Sequence, residues 1–137
     1  MQHVTARTST TVLMHTRVGP ARRIPVELRY DSRDPFVITF AFLLSKHNVL
    51  WALGRDLVAA GLIAPTGDGD VMLHPRSEDA NQVEFHFTGG QDTSMLSASL
   101  AEVADFVDRT HALVPMGHEK CWLDLDGELV KLLSSTG

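Results

Sequence analysis

Residues 49–75, VLWALGRDLVAAGLIAPTGDGDVMLHP, decide the fold because they combine a strand, a short helix, a turn and a second strand. Residues 49–53 are all apolar, which predicts a strand that is buried on both faces. Gly54 ends this strand, and residues 55–60 suit about one to two helical turns. Gly61 then stands where a helix is closed by a residue in the left-handed αL conformation. The pattern predicts a folding unit without a reactive centre.

The second half of this stretch predicts a tight turn followed by a strand. Residues 65–70, PTGDGD, have the Pro, Gly and Asp content of turns, and residues 71–73 resume an apolar strand. The Asp-Gly-Asp sequence also resembles the start of a calcium-binding loop. Met72 and His74 follow where an EF-hand would continue with oxygen ligands. We therefore interpret the segment as a hairpin turn.

Strands are also predicted on both sides of this stretch. Upstream, residues 4–17 are rich in β-branched side chains, and residues 24–31 alternate strictly between apolar and polar. Residues 36–44 are apolar on both faces, which predicts a central strand. Downstream, residues 82–87 alternate, and residues 94–98 form a weaker strand pattern.

A helix is predicted after the last of these strands. Residues 99–102, SLAE, have the pattern of a capping box, in which the Ser99 hydroxyl accepts from the Glu102 amide while the Glu102 side chain reaches back. Apolar residues then recur near one face as far as Val114, and Pro115 ends the helix. The chain thus runs through several strands and then a helix, twice.

The end of the chain has two interpretations. Residues 123–130, LDLDGELV, suit a hairpin with a type I′ Asp-Gly turn. Alternatively, Asp126 caps a short helix whose leucines dock on the body of the protein. The residue pattern slightly favours the hairpin.

Composition indicates one ordinary globular domain over residues 1–137. Hydrophobic residues make up 44% and charged residues 21%, which distinguishes the chain from disordered proteins. There is no basic segment followed by an apolar run at the N-terminus, so we expect no secretory signal. No apolar stretch approaches the roughly 20 residues of a membrane helix. Cys121 is the only cysteine, which excludes an intrachain disulfide and fits a reducing cytoplasm.

No residues assemble a recognisable catalytic, cofactor or metal site in the sequence. The seven histidines fall mostly in separate predicted elements, so scattered surface histidines are favoured over a zinc site. Cys121 is interpreted as a half-buried structural thiol rather than a nucleophile beside His118. Arg55 and Asp56, at a helix start, are interpreted as a cap or a buried ion pair. We expect no enzymatic activity, no cofactor and no metal.

The one basic cluster consists of Arg17, Arg22 and Arg23, beside Pro20. The whole chain has a formal net charge of −5, whereas a nucleic-acid groove needs many phosphate contacts and exposed aromatic side chains. Three arginines without adjacent aromatics usually form a solvated turn. They also suit a small docking patch for an acidic protein, so they are our candidate partner-binding residues.

Three blocks of the chain resemble the SsgA-like proteins, an actinobacterial family tied to sporulation-specific cell division. The blocks are WALGRDLVAAGL (51–62) with PTGDGDV (65–71), PVELRYDS (25–32) with Asp34-Pro35, and Phe106, Arg109-Thr110 and Leu113-Val114-Pro115. The resemblance covers residues 25–133, and the layout looks most like the SsgB type. Gly54 departs from the Ala expected of the family, and His74 from its usual aromatic residue.

The fold class that we predict is α+β, a single domain of about seven mainly antiparallel strands with two or three helices. The resemblance implies a whirly-like fold that assembles as a homotrimer, and it favours the helix for residues 123–133. A long first strand, with more apolar strand surface than two short helices can cover, also favours an oligomer.

The resemblance further implies a non-enzymatic cytoplasmic protein at the division septum. In that role it would help to position sporulation-type septation by binding FtsZ and other SsgA-like proteins, and it would meet the membrane only through partners. The alternative is a whirly-like single-stranded nucleic-acid-binding protein. The fold analogy supports this alternative, whereas the acidic charge opposes it.

Overall fold

The computed structural model describes residues 3–15, 19–76, 81–88 and 94–121, which form one eight-stranded antiparallel sheet and two helices. The elements in chain order are β1 (Thr5–His15), β2 (Arg22–Asp31), β3 (Val37–Leu43), β4 (Asn48–Gly54), α1 (Arg55–Gly61), β5 (Thr66–Asp68), β6 (Val71–Pro75), β7 (Gln82–Phe87), β8 (Ser94–Ser99) and α2 (Leu100–Leu113). Residues 119–121 add a helical turn. The α+β class is confirmed. The eighth strand is β5, which lies in the segment predicted to be a turn.

The strand order β4-β3-β2-β1-β8-β7-β6-β5 divides the sheet into two four-stranded meanders. Each meander is followed by a helix, which confirms the repeated arrangement of strands and then a helix. The meanders join where residues 13–15 of β1 pair with residues 95–97 of β8. Because β1 pairs with β2 over most of its length, the earlier part of β1 has a second edge that β8 does not cover.

Helix α2 lies along this uncovered edge of β1. Arg109 Nη1 donates to the Thr8 hydroxyl at 2.9 Å and to the Arg7 carbonyl at 3.3 Å. The Thr10 hydroxyl donates to the Glu102 carboxylate. Along this edge the helix thus contacts two side-chain hydroxyls and one backbone carbonyl of β1.

The sheet curls until strands near its two ends touch across the core. The Phe40 ring of β3 lies 5.3 Å from the Phe85 ring of β7, and the Trp51 ring of β4 lies 4.4 Å from the Phe87 ring. Alternation of side chains places one face of β7 inside, as the burial of Val83, Phe85 and Phe87 shows. The core therefore lies on the concave face of the sheet. On that side α2 buries Val103, Phe106, Val107 and Thr110.

The prediction that residues 49–53 are buried on both faces is wrong. Strand β4 is the last strand of its meander, and its side chains alternate between the core and solvent. Leu50 is 58% exposed, whereas Leu53 is buried and Trp51 is half-buried against Phe87. An apolar run indicates a strand, but the order of strands in the sheet decides whether both of its faces are covered.

The αL conformation predicted for Gly61 is also wrong, since Gly61 is the last residue of α1 and its φ is not positive. A different constraint requires glycine there. A Cβ atom at this position would lie 2.4 Å from the Cβ of Leu73. Glycine therefore lets α1 approach β6 closely. In the following hairpin, Gly69 has a φ of +60°, which confirms the predicted turn.

Two predictions near α2 need correction. The Ser99 hydroxyl accepts from the Glu102 amide at 3.3 Å, as a capping box requires. The Glu102 carboxylate, however, accepts from Thr10 of β1. This tertiary contact takes the place of the hydrogen bond by which the Glu102 side chain would reach back to the Ser99 amide in a capping box. Cys121 is exposed rather than half-buried. The helix or hairpin predicted for residues 123–133 lies outside the described residues.

Neither helix in the described part of the chain combines the length and apolar character needed to cross a membrane.

The close approach at Gly61 predicts that Gly61→Ala destabilises the protein. The added methyl group forces α1 away from β6, which typically costs about 1–3 kcal/mol as overpacking. Gly54→Ala is the control, because its nearest neighbouring atom would lie 3.7 Å away and a change of less than about 0.5 kcal/mol is expected. Urea unfolding of both variants measures the difference. Equal stability of the two variants would contradict the packing of α1 on β6.

Candidate partner-binding surface

The structure places two of the three candidate arginines at the start of β2. Arg22 and Arg23 are exposed and pair with Met14 and Leu13 of β1. Arg17 lies outside the described residues, so its position relative to the other two stays a prediction. Because the side chains of a strand alternate between faces, Arg23 lies on the outer, convex face of the sheet, away from the buried Ile24.

A shallow cavity of about 230 Å³ lies beside Arg23 at the junction of the two meanders. It is lined by Thr11, Leu13, Arg23, Gln82, Ser97 and Ser99. Small-molecule pockets usually measure about 300–1,000 Å³, so this cavity is smaller than a typical ligand site. A single side chain of a partner protein suits its size better.

A second outer-face cavity, of about 280 Å³, lies over the first meander and is lined by charged groups. Arg7, Arg29 and Asp31 are among its lining residues. Glu27 lies between the two arginines, with its Oε1 2.6 Å from Arg29 Nε and 3.7 Å from Arg7 Nη1. The hydrogen bond from Arg29 lowers the pKa of Glu27. These mutual pairings describe a polar, solvated face.

Apolar side chains interrupt this polar face near the edge strand β4. Leu50 on β4 is 58% exposed, and Leu43 at the end of β3 is 37% exposed. The outer edge of β4 pairs with no further strand among the described residues. An edge with unpaired N–H and C=O groups is a template for pairing with another chain, so this end of the sheet is a second candidate contact surface.

Arg55, for which a cap or a buried ion pair is predicted from the sequence, forms a buried ion pair. Its Nη2 donates to Glu119 Oε1 at 2.7 Å, and its Nη1 donates to the carbonyls of Thr110 and Val114 at 3.1 and 2.7 Å. Its guanidinium also lies 5.2 Å from the centre of the Tyr30 ring. Asp56 is exposed and takes no part. These contacts assign Arg55 a structural role.

The ionisation of neighbouring groups follows from this arrangement. Burial raises the pKa of Tyr30 to about 12, although the nearby Arg55 charge opposes the rise. Burial alone would raise the pKa of Glu119. Backbone amides and the Arg55 guanidinium outweigh that effect, so the pKa of Glu119 falls below its ordinary value of 4.5. Glu119 is therefore ionised wherever the ion pair is intact.

The structure also brings together three residues that no sequence motif connects, namely His74, Glu84 and His86. The prediction of scattered histidines is wrong for this pair, because antiparallel pairing of β6 with β7 places both imidazoles on the outer face. The available signal was the Glu84-Phe85-His86 spacing, which puts two polar side chains on one face of a strand. The position of His74 depends on the register of the hairpin.

The ion pair predicts that Glu119→Ala destabilises the protein in a pH-dependent way. Removing one partner leaves the Arg55 charge buried, which typically costs about 3–5 kcal/mol. Because the folded-state pKa of Glu119 is lowered, the unfolded chain binds its proton more readily. The stabilisation is therefore complete above about pH 4.5 and is lost as the pH falls through the folded-state pKa.

Urea unfolding between pH 3 and pH 7 measures this difference between wild type and variant. Asp105→Asn on the exposed side of α2 is the control, with an expected change of less than about 0.5 kcal/mol. A destabilisation by Glu119→Ala that stays constant over this pH range would contradict an ionic contribution.

The comparisons with known proteins agree on one group of relatives. Residues 24–119 match a family model described as Streptomyces sporulation and cell division protein, SsgA. The chain is 39% identical over 132 residues to the sporulation-specific cell division protein SsgB of Saccharopolyspora erythraea, covering 96% of this chain and 94% of the relative. It is 36% identical over 115 residues to SsgB of Streptomyces coelicolor, covering 82% and 84% of the two chains.

Two solved structures share the fold over nearly their whole length. An SsgA-like sporulation-specific cell division protein of Thermobifida fusca superposes with a TM-score of 0.87 at 25% identity, covering 93% of this chain and 95% of the other. A structure described for SsgB mutations that correlate with longitudinal cell division in Streptomyces coelicolor gives 0.81 at 29% identity, covering 88% and 96%. These descriptions support the cell-division interpretation and not the nucleic-acid-binding alternative.

Proposed function

Since this chain belongs to the SsgA family of sporulation and cell division proteins, we propose that it helps to position sporulation-type septation without catalysing a reaction. It would do so by binding FtsZ and other SsgA-like proteins. The observation that carries this proposal is the 39% identity to a sporulation-specific cell division protein over 94% of that protein's length. A match of this extent spans nearly the whole of both chains.

The described part of the chain supports a binding role over an enzymatic one. Its one buried ion pair joins Arg55 to Glu119, and both groups are engaged in structural contacts. The two outer-face cavities described above are small and shallow, and none of the clustered His74, Glu84 and His86 side chains lines either of them. A catalytic site needs titratable groups that converge on a space for substrate, whereas a binding protein needs only an accessible and complementary surface.

We assign the first contact with an acidic partner to the arginines beside the β1–β2 connection. Arg22 and Arg23 are exposed, and Arg17 is close to them in sequence. The net charge of the whole chain is −5, so any attraction to an acidic partner is local. At about 0.15 M salt the screening length is roughly 8 Å, and such a patch then acts only at close range. In this proposal the protein is cytoplasmic and reaches the septum through its partners.

The first test is the binding of FtsZ polymer by Arg22→Glu/Arg23→Glu. Reversal of two exposed charges should reduce co-sedimentation with FtsZ and weaken its salt dependence, because complementary charges mainly govern the association rate. The melting temperature should stay close to that of wild type, since exposed substitutions usually change stability by less than about 0.5 kcal/mol.

The matched control is Lys46→Glu/Lys120→Glu, which reverses two exposed charges elsewhere on the protein and changes the net charge equally. Equal loss with both double variants would assign the effect to overall charge rather than to this patch. Co-sedimentation of the arginine variant at the wild-type level would exclude the patch. Failure of the wild-type protein to co-sediment would contradict FtsZ binding itself.

We also propose that the protein forms a homotrimer through the exposed end of the sheet at β4. Leu50 and Leu43 supply apolar surface there, and the outer edge of β4 pairs with no strand among the described residues. Apolar surface beside an open edge is the kind of feature that a second copy covers.

Light scattering tests the trimer and should give about three times the chain mass of 15.1 kDa. Leu50→Glu should lower this mass, because it places a charge in the contact. Ile63→Glu is the control, since Ile63 is 84% exposed and lies beyond α1. A wild-type monomer at micromolar concentration would contradict the trimer, and a trimeric Leu50→Glu variant would place the contact elsewhere.

A further inference from the structure

His74, Glu84 and His86 lie side by side on the outer face of the second meander. His74 pairs directly with Glu84 across the β6–β7 ladder, and His86 pairs with Met72 two residues along. Because side chains alternate along a strand, His86 shares the face of Glu84. The register of this one hairpin therefore brings two imidazoles and a carboxylate together.

The three ligand atoms form a nearly equilateral triangle. His74 Nε2 lies 3.0 Å from His86 Nε2, and each of these nitrogens lies 3.3 Å from Glu84 Oε2. Zinc–nitrogen and zinc–oxygen bonds of about 2.0–2.2 Å in a tetrahedral site separate neighbouring ligand atoms by roughly 3.3–3.5 Å. The two nitrogen–oxygen distances match this spacing, and the nitrogen–nitrogen distance of 3.0 Å is slightly shorter, so the triangle is close to one face of a zinc tetrahedron.

Neighbouring groups orient two of these side chains. His74 Nδ1 lies 3.0 Å from the Pro75 carbonyl, an acceptor that places the ring proton on Nδ1 and leaves a lone pair on Nε2. Metal-binding histidines usually show this arrangement, in which the far nitrogen donates to a carbonyl or carboxylate. Arg76 Nε lies 3.4 Å from Glu84 Oε1, so the other oxygen, Oε2, is the one that faces the imidazoles.

We propose that His74, Glu84 and His86 form a binding site for a divalent transition metal of the zinc class. Imidazole with one carboxylate suits Zn²⁺ better than Mg²⁺ or Ca²⁺, which prefer sets of oxygen ligands. The side chains are 28%, 13% and 29% exposed in the order His74, Glu84, His86, so an ion can reach them. Three protein ligands leave a fourth coordination position for water or a group from another molecule. The ion would also cross-link β6 to β7.

The competing explanation is a hydrogen-bonded cluster without a metal. In that arrangement His86 Nε2 donates to the lone pair of His74 Nε2, and the two rings stack with centres 5.0 Å apart. A cluster without a metal predicts that the protein does not bind added zinc, whereas a metal site predicts that it does. Calorimetry therefore separates them.

The experiment is a titration of tag-free, chelator-treated full-length protein with ZnCl₂. The expected result is one Zn²⁺ per chain and a rise in melting temperature, because an ion that binds only the folded state stabilises it. His74→Gln and His86→Gln should each weaken binding by more than roughly 100-fold, since even the loss of a group that only orients a ligand costs about 10–100-fold. His47→Gln, in the exposed turn before β4, should bind like wild type.

Co²⁺ supplies a direct readout of the ligands, because tetrahedral Co²⁺ absorbs visible light far more strongly than the hydrated ion. Wild type and His47→Gln should develop this absorption, whereas the His74 and His86 variants should not. Circular dichroism of the metal-free variants confirms that they are folded. Absence of Zn²⁺ uptake by wild type, or wild-type affinity in both the His74 and His86 variants, would overturn the proposal.

Discussion

The buried guanidinium of Arg55 connects α1 to α2, to β2 and to the segment around Glu119. It is 1% exposed and binds the last turn of α2, the Glu119 carboxylate and the face of Tyr30 on β2. Its own backbone amide donates to the Phe36 carbonyl at 2.7 Å. Burial of an unpaired charge would be strongly unfavourable. The segment around residue 119 must therefore stay packed against both helices.

The C-terminal end of α2 benefits most directly from Arg55. Carbonyls in the last turn of a helix have no partner within the helix and carry the negative end of its dipole. The Thr110 carbonyl accepts from the Val114 amide at 2.9 Å and also from Arg55, and the Val114 carbonyl, just past the helix, accepts from the same Arg55 nitrogen. A cation is the most favourable donor at this position. The first helix thus caps the second across the core, and the two meanders are joined through their helices as well as through β1 and β8.

The buried charges of Arg55 and Glu119 have structural partners, whereas Arg23 and the histidine cluster lie on the outer face of the sheet. One cross-strand row runs from Arg23 through Leu13, Ser97 and Glu84 to His74. Neighbouring strands lie about 4.8 Å apart, so the arginine patch and the histidine cluster are separated by roughly 19 Å along this row. A single folded partner covers a patch of about 800 Å², which is large enough to contact both. The short β1–β8 pairing therefore aligns the two surfaces.

Local sequence patterns determined the elements of this protein, because alternation, capping and turn chemistry depend on neighbours in the chain. The alternation in residues 24–31 and 82–87, the Ser99 cap and the Gly69 turn all follow from such short-range rules. A buried ion pair was one of the two roles predicted for Arg55, although its partner was not. Only the tertiary structure decided the relations between distant residues. In the tertiary structure β4 lies at a sheet edge, Gly61 packs closely against Leu73, and Arg55 pairs with Glu119. The tertiary structure also brings His74 beside His86, since strand order, register and curvature are set by the packing of the whole chain.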